Sequence, residues 1–493
     1  MPDWFHASGY GLARWVLQRG LAFVYLIAFL VALGQFPALL GERGLLPVPR
    51  FLQRTRFWDS PSLFHLHYSD RMLAGVSVTG IVLSLVILLG FPDRWPIALT
   101  VGLWLLLWAL YLSVVNVGQT FYAFGWESLL CEAGFLAAFL GPAWTAVPAP
   151  VIWLFRWLLF RVEFGAGLIK LRGDPCWRNL TCLDYHHETQ PMPGPLSWYF
   201  HHLPKPLHRC EVLGSHFAQL VAPALLFAPQ PIATGSALVI IITQSWLVLS
   251  GNYSWLNLTT ILLAFPAIDD RALGRVLPLD LPATTVAAGF DWVVAALTLL
   301  LLALSWRPAR NLVSSTQLMN ASFEPFRLVN TYGAFGSVTK ERREVVIEGT
   351  SDDDPSDDSE WREYGFKGKP GDPKRRPRQF APYHLRLDWL MWFAALSPAY
   401  AASWFLPFVE KLLENDRATL KLLRHNPFPD APPKAIRAVL YRYRYSTRRE
   451  RRETGAWWVR TRVRTFLPPI QLQVGEPASS ASAGSDSSSR HVE

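Results

Sequence analysis

GLAFVYLIAFLVALGQFPALL, residues 20–40, decides what kind of protein this is. The run holds no charged residue, and it is as long as the roughly 20 residues an α-helix needs to cross the hydrocarbon of a bilayer. Arg14 and Arg19 precede it, as they would in a signal peptide. Bulky apolar residues continue past the small-x-small triplet Ala32-Leu33-Gly34, so the run reads as an uncleaved span. Working outward, further apolar runs cover Met72–Pro92, Pro96–Phe121, Trp126–Leu140, Val151–Leu171, Val212–Ala228, Ile232–Ser250 and Thr284–Ser305, with a short one at Asn257–Ile268. Together they predict a polytopic α-helical membrane bundle of eight or nine crossings over residues 1–310, interrupted by one long polar loop, 172–210.

Composition agrees. Only 17% of residues are charged and 51% are hydrophobic, where a soluble chain carries about 25% charged residues. The net charge of +9 is explained by Arg and Lys flanking spans and meeting anionic lipid, so no nucleic-acid partner is expected. Many of the 22 Trp sit near span ends, as in an interfacial aromatic belt.

Beyond about Ser314 charge becomes dense and the long runs vanish, predicting a mixed α/β, strand-containing extra-membrane domain over 311–475. Val345–Gly349 and Trp361–Lys367 read as short strands, and Leu385–Leu396 and Ser403–Leu423 as helices with apolar faces. Ile436–Tyr445 and Trp457–Phe466 alternate around a charged turn, which predicts a β-hairpin. Tyr441, Tyr443 and Tyr445 then share one face of its first strand, with Arg442 and Arg444 opposite; Arg460, Arg462 and Arg464 share a face of the second. The Arg-rich face reads as solvated, with an acidic partner or lipid headgroups as the sharper alternative. Residues 476–493 form a Ser-rich tail expected to be disordered.

Two constellations could carry chemistry. Arg156, Glu163 and Lys170 recur every seven residues and so form one helical stripe. Charge inside a bilayer costs at least about 2.5–3.5 kcal/mol, so such groups turn inward and pair. Glu127 and Glu132 on the preceding helix are the expected partners, Asp291 is a further intramembrane carboxylate, and Arg161 lies off the stripe, where it could snorkel. The bland reading is a buried salt-bridge network fixing helix register; the sharp one makes Lys170 a base. The second constellation is the loop beyond Lys170, which gathers Asp174, Trp177, Arg178, Asp184, Tyr185, His186, His187 and Glu188 at the membrane interface. Sequential neighbours rarely converge on one ion, so Asp184, His186, His187 and Glu188 are not read as a metal site, and neither metal nor other cofactor is expected. A Cys176–Cys182 bridge follows if the loop faces an oxidising compartment.

The stretches NVGQTFYAFGWESLLCEAGFLA (116–137), FRVEFGAGLIKLRGDPCWRNLTCLDYHHETQPMPGPLSWYFHHLP (160–204), LSGNYSWLNLTTILLAFPAIDD (249–270) and LVNTYGAFGSVTKERREVVIEGT (328–350) resemble the lipase maturation factor family. The resemblance implies a polytopic membrane protein that helps lipases of the lipoprotein lipase type to fold in the endoplasmic reticulum, with the 160–204 loop and the C-terminal domain facing the lumen and the secreted client. Scarce Lys and compact loops suggest a bacterial homologue, for which the inner membrane and periplasm take those places. Glu163–Trp177 is also similar, over a short stretch, to the membrane domain of vitamin K-dependent gamma-carboxylase; that likeness puts Lys170 where the carboxylase has its base, although Arg172-Gly173-Asp174-Pro175 departs from the pattern. The positive-inside rule points the other way on orientation, because Gly41–Arg71 carries Arg43, Arg50, Arg54, Arg56 and Arg71.

Three functions follow. The first is a membrane-anchored maturation factor whose partners are the bilayer and a secreted client such as a lipase. The second is a membrane enzyme using Lys170 on a lipid, quinone or peptide. The third is a small-solute transporter, which the absence of a convincing internal repeat argues against.

Overall fold

A computed structural model describes residues 1–472; the Ser-rich tail expected from 476 lies outside the described residues. The apolar run 20–40 lies in α1, Gly11–Leu40, which extends nine residues further back than the uncharged stretch. The extension survives its two arginines because both are paired. Arg14 donates to the carbonyls of Ala143 and Thr145, and Arg19 pairs with Asp93. After α1 come α2 (Asp70–Leu88), α3 (Ile97–Asn116), α4 (Gly125–Ala137) and α5 (Ala149–Arg172). The loop that follows holds α6 (Leu183–Thr189) and leads to α7 (Lys205–His216), which continues through a π-helical turn at Phe217–Val221. Then come α8 (Ile232–Ser250), α9 (Leu256–Ala264) and α10 (Ala288–Leu304). The helices pack closely where small residues allow it: Gly80 lies against the Phe29 ring and Gly134 against the Tyr25 hydroxyl, so a side chain at either would collide.

Five helices are long and apolar enough to cross a membrane: α1, α2, α3, α8 and the run Ala288–Val313 that contains α10. The eight or nine crossings expected are therefore not upheld. The remaining runs fall short for separate reasons. Helix α4 has 13 residues, about 20 Å against the ~30 Å of a hydrocarbon core, and every one of them is buried in protein. Helix α9 has nine residues. Helix α5 is long enough at 24 residues but carries Arg156, Arg161, Glu163 and Lys170. The expected run 212–228 begins midway along a polar helix. The qualifying helices turn apolar side chains outward, among them Val82, Ile242, Leu299 and Leu302, which suits a lipid surface.

The C-terminal part is a four-stranded antiparallel sheet in the order β2-β1-β3-β4, formed by β1 (Arg342–Thr350), β2 (Arg362–Glu363), β3 (Ala435–Tyr445) and β4 (Trp458–Ile470). The expected strand at 361–367 shortens to two residues. The hairpin forms, but a capped helix, Arg448–Thr454, spans its turn. Helices α11 (Arg386–Leu396) and α12 (Phe405–Leu413) cover the sheet. The expected helix 403–423 breaks after α12 at Asn415, whose φ is +51°, and Asp416 caps a new turn. The expected tyrosine face is turned inward: Tyr443 and Tyr445 pack with Trp198, Trp457 and Trp458 and offer a client little.

One apolar core runs through both parts, from Leu21 and Leu129 in the bundle to Trp389, Trp404 and Ile436 beside the sheet. At the same end Gln35 near the close of α1 donates to the His384 carbonyl and accepts from the Arg386 amide. The Arg-rich 41–71 loop begins there, and the 172–210 loop contacts the sheet at Arg342 and Tyr445. Both loops thus share an end of the bundle with the C-terminal domain.

Candidate functional site

The five charged side chains expected to form one intramembrane network do not all meet. Arg156, Glu163 and Lys170 are all buried along one face of α5, but none meets Glu127 or Glu132. Arg156 donates to the carbonyls of Pro266 (3.0 Å) and Leu226 (3.1 Å) and to the Tyr10 hydroxyl (2.9 Å), at a cleft also lined by Trp153 and Phe227. Glu163 accepts from Gln244 at 2.6 Å, and Gln244 accepts in turn from Asn257 at 2.7 Å. Lys170 donates to Gln219 (2.9 Å) and Ser215 (3.2 Å), with its ammonium 4.5 Å from the centre of the Trp177 ring. Gln219 sits in the π-helical turn, a distortion that often marks a position under functional demand.

The two glutamates of α4 find other cations. Arg161, off the stripe and expected to snorkel, is buried and pairs with Glu132. The same carboxylate accepts from the Asn330 amide nitrogen (3.0 Å), the Asn330 side chain (2.8 Å) and the Tyr332 hydroxyl (2.8 Å). Glu127 takes Arg386 of the C-terminal part at 2.9 Å, accepts from Tyr111, and lies 3.6 Å from His384 Nδ1. Arg386 also lies over the Tyr122 ring. These pairings were illegible because the cation for Glu127 comes 259 positions later. Asp291 meets His6 at 3.1 Å.

The interface loop residues likewise do not converge on one point. Asp174 caps a short helix by accepting from the Cys176 amide (2.9 Å), and Trp177 donates to the Phe335 carbonyl (2.9 Å). Arg178 is exposed; Asp184 and Tyr185 are half-buried. Cys176 and Cys182 are joined in a disulfide. His186 lies 3.2 Å from the Tyr253 hydroxyl. Glu188 accepts from the Tyr445 amide at 2.7 Å, and Arg342 donates to the Glu188 carbonyl at 3.0 Å, so the loop is clamped to the sheet. Arg342 belongs to a buried trio in which Glu344 bridges it (2.6 Å) to Lys369 (2.8 Å).

His187 turns the other way, toward α7. Its ring lies 5.6 Å from that of His208, and its Nε2 is 3.6 Å from Glu211. His208 Nδ1 is 3.0 Å from the same carboxylate. Sequence reading passed over His208 and Glu211, although their three-residue spacing on a helix was visible; only the packing of α6 on α7 adds His187.

Burial dominates the electrostatics outside the spans. It raises the Glu188 carboxyl and lowers the imidazoles of His201 to about 3 and His384 to about 4, the latter aided by the neighbouring Arg386. His384 is fully enclosed by Trp126, Phe124, Trp255 and Trp389. Its folded value lies below the unfolded ~6.5, so the unfolded chain takes up the proton first and stability falls as pH drops from about 6.5 toward 4. The solubilised protein is expected to lose about 2 kcal/mol from this group between pH 7 and pH 5. Thermal melts across that range should show a smaller loss in His384→Gln; an equal loss would remove His384 as its source.

A family model described as "Lipase maturation factor transmembrane domain" matches residues 12–275, and one described as "Lipase maturation factor C-terminal domain" matches residues 328–468. The chain is 43% identical to lipase maturation factor 1 of Homo sapiens, over 97% of its own length and 91% of that protein's. It is 41% identical to the Bos taurus protein of the same name (96% and 91% covered) and 30% identical to lipase maturation factor 2 of Homo sapiens (95% and 84% covered). No solved structure matches.

Proposed function

Because the chain belongs to the lipase maturation factor family, we propose that it matures secreted lipases from a membrane-anchored scaffold, without performing chemistry on them. The observation that carries this reading is the match at 41–43% identity along nearly the whole chain to proteins named for that role. The side-chain arrangement supports it. Glu127, Glu132 and Arg161 are taken up by contacts that hold the parts of the chain together, as register-fixing ion pairs do. The chain is an integral membrane protein. The Cys176–Cys182 disulfide favours an oxidising lumen or periplasm for the 172–210 loop, and the C-terminal domain shares that side. The division into a membrane bundle up to about 310 and a C-terminal domain to about 475 is part of the same proposal. One surface open to a client is the outer edge strand β4, where Arg462, Val463 and Arg464 are exposed.

A second reading rests on one observation: among the described residues, Lys170 is buried with hydrogen bonds only to neutral groups. Such a lysine is also the starting point for a base. Secretion and activity of co-encoded lipases in a deletion strain, complemented with wild type or Lys170→Met, separate the two. The scaffold reading expects a stability cost of about 1–3 kcal/mol from the stranded Gln219 and Ser215, with lipase activity following the level of the membrane protein. Loss of activity by about 10²–10⁴ at normal protein level would replace it with an enzyme.

A further inference from the structure

We propose that His187, His208 and Glu211 bind a divalent transition-metal cation, zinc by the chemistry of its donors. His208 and Glu211 project from one face of α7 at a three-residue spacing, and His187 reaches them from α6. All three ligand atoms lie within 4.8 Å of one another. Donors around a tetrahedral zinc with bonds near 2.0–2.1 Å stand about 3.3–3.4 Å apart. The two separations from Glu211 Oε2, 3.0 Å to His208 Nδ1 and 3.6 Å to His187 Nε2, bracket that value. The third pair closes on the ion by side-chain rotation.

His187 provides the independent observation. Its side chain is 3% exposed, and among the described residues neither ring nitrogen has a hydrogen-bond partner. Buried polar groups are almost always paired, and one left without a partner calls for an explanation such as an ion. A plain salt bridge between Glu211 and His208 accounts for those two residues and leaves His187 Nε2 at 3.6 Å from a carboxylate oxygen already engaged by His208; a cation between them gives that nitrogen, His208 Nδ1 and Glu211 Oε2 a common partner. Glu211 is also arranged as metal-bound carboxylates are, since Trp246 donates to its Oε1 at 2.7 Å and Oε2 remains for the ion. The Phe200 ring covers His187 at 5.4 Å. Two imidazoles and a carboxylate suit zinc, and three protein donors leave one position for water. Cys210, on the same helix, is exposed and stands outside the set.

The test uses full-length protein in detergent, purified through a tag free of histidine, with elemental analysis of bound metal. The expected result is one zinc per chain, at least tenfold less in His187→Gln, His208→Gln and Glu211→Gln, and no change in Cys210→Ser. Trp246→Phe should keep the stoichiometry while weakening zinc affinity about tenfold or more. Loading with Co²⁺ should give the visible d–d bands of a four-coordinate nitrogen and oxygen site without thiolate charge transfer. Should the ligand variants fail to fold, wild-type protein stripped by chelator decides the matter, because zinc must then raise its melting temperature. Wild-type protein that holds no zinc as isolated and shows neither uptake nor a melting shift on addition overturns the proposal, as does full occupancy in folded His187→Gln.

Discussion

Arg386→Leu is expected to destabilise the detergent-solubilised protein by about 3–5 kcal/mol. Arg386 and Glu127 are wholly buried and in contact at 2.9 Å. Removing the cation leaves the Glu127 carboxylate in a closed pocket with only Tyr111 and the neutral His384 beside it. Breaking a buried pair from one side costs more than the pair is worth, because an uncompensated charge stays behind. Replacing both partners with groups of similar shape removes that penalty, so Glu127→Gln combined with Arg386→Met should recover most of the loss. Thermal unfolding and protease cleavage within the acidic 351–360 loop are the measurements. A melting temperature for Arg386→Leu within error of wild type would mean that Glu127 is solvated or protonated and that this contact does not hold the two parts together.

Truncation after Ser314 is expected to abolish accumulation of the membrane part itself. The missing segment supplies Asn330 and Tyr332 to Glu132, the Asn330 carbonyl to Arg161 at 2.6 Å, and Arg386 to Glu127. It also supplies the Trp389 and His384 rings that cover Trp126. Two buried carboxylates would lose donors at once, at several kcal/mol each, against a total stability of about 5–15 kcal/mol. Membrane abundance and size-exclusion behaviour of residues 1–314 are the readouts, with the remainder of the chain co-expressed as a rescue. Lost lipase maturation in such a truncation would therefore say nothing about client binding unless the bundle persists. A monodisperse 1–314 fragment at wild-type abundance would show that the bundle satisfies its own charges.

The membrane class, the position of most apolar runs and the hairpin pattern were legible in the sequence, because each is a local property: hydropathy over about 20 residues, or alternation over about six. The stripe of Arg156, Glu163 and Lys170 was legible for the same reason, as was the crowding of polar side chains after Lys170. The number of helices fit to cross was not, since α4 and α9 are apolar by composition but too short, and only their burial among other helices accounts for their character. Charge pairing was the least legible. Glu127 and Glu132 had four cations on the next helix to choose from, and the fold gave Glu132 Arg161 from that helix and Glu127 Arg386 from far beyond it. The meeting of His187 with His208 and Glu211 is of the same kind. Periodicity tells which face of a helix a side chain occupies, whereas its partner depends on which helices pack together, and the tertiary structure alone decides that.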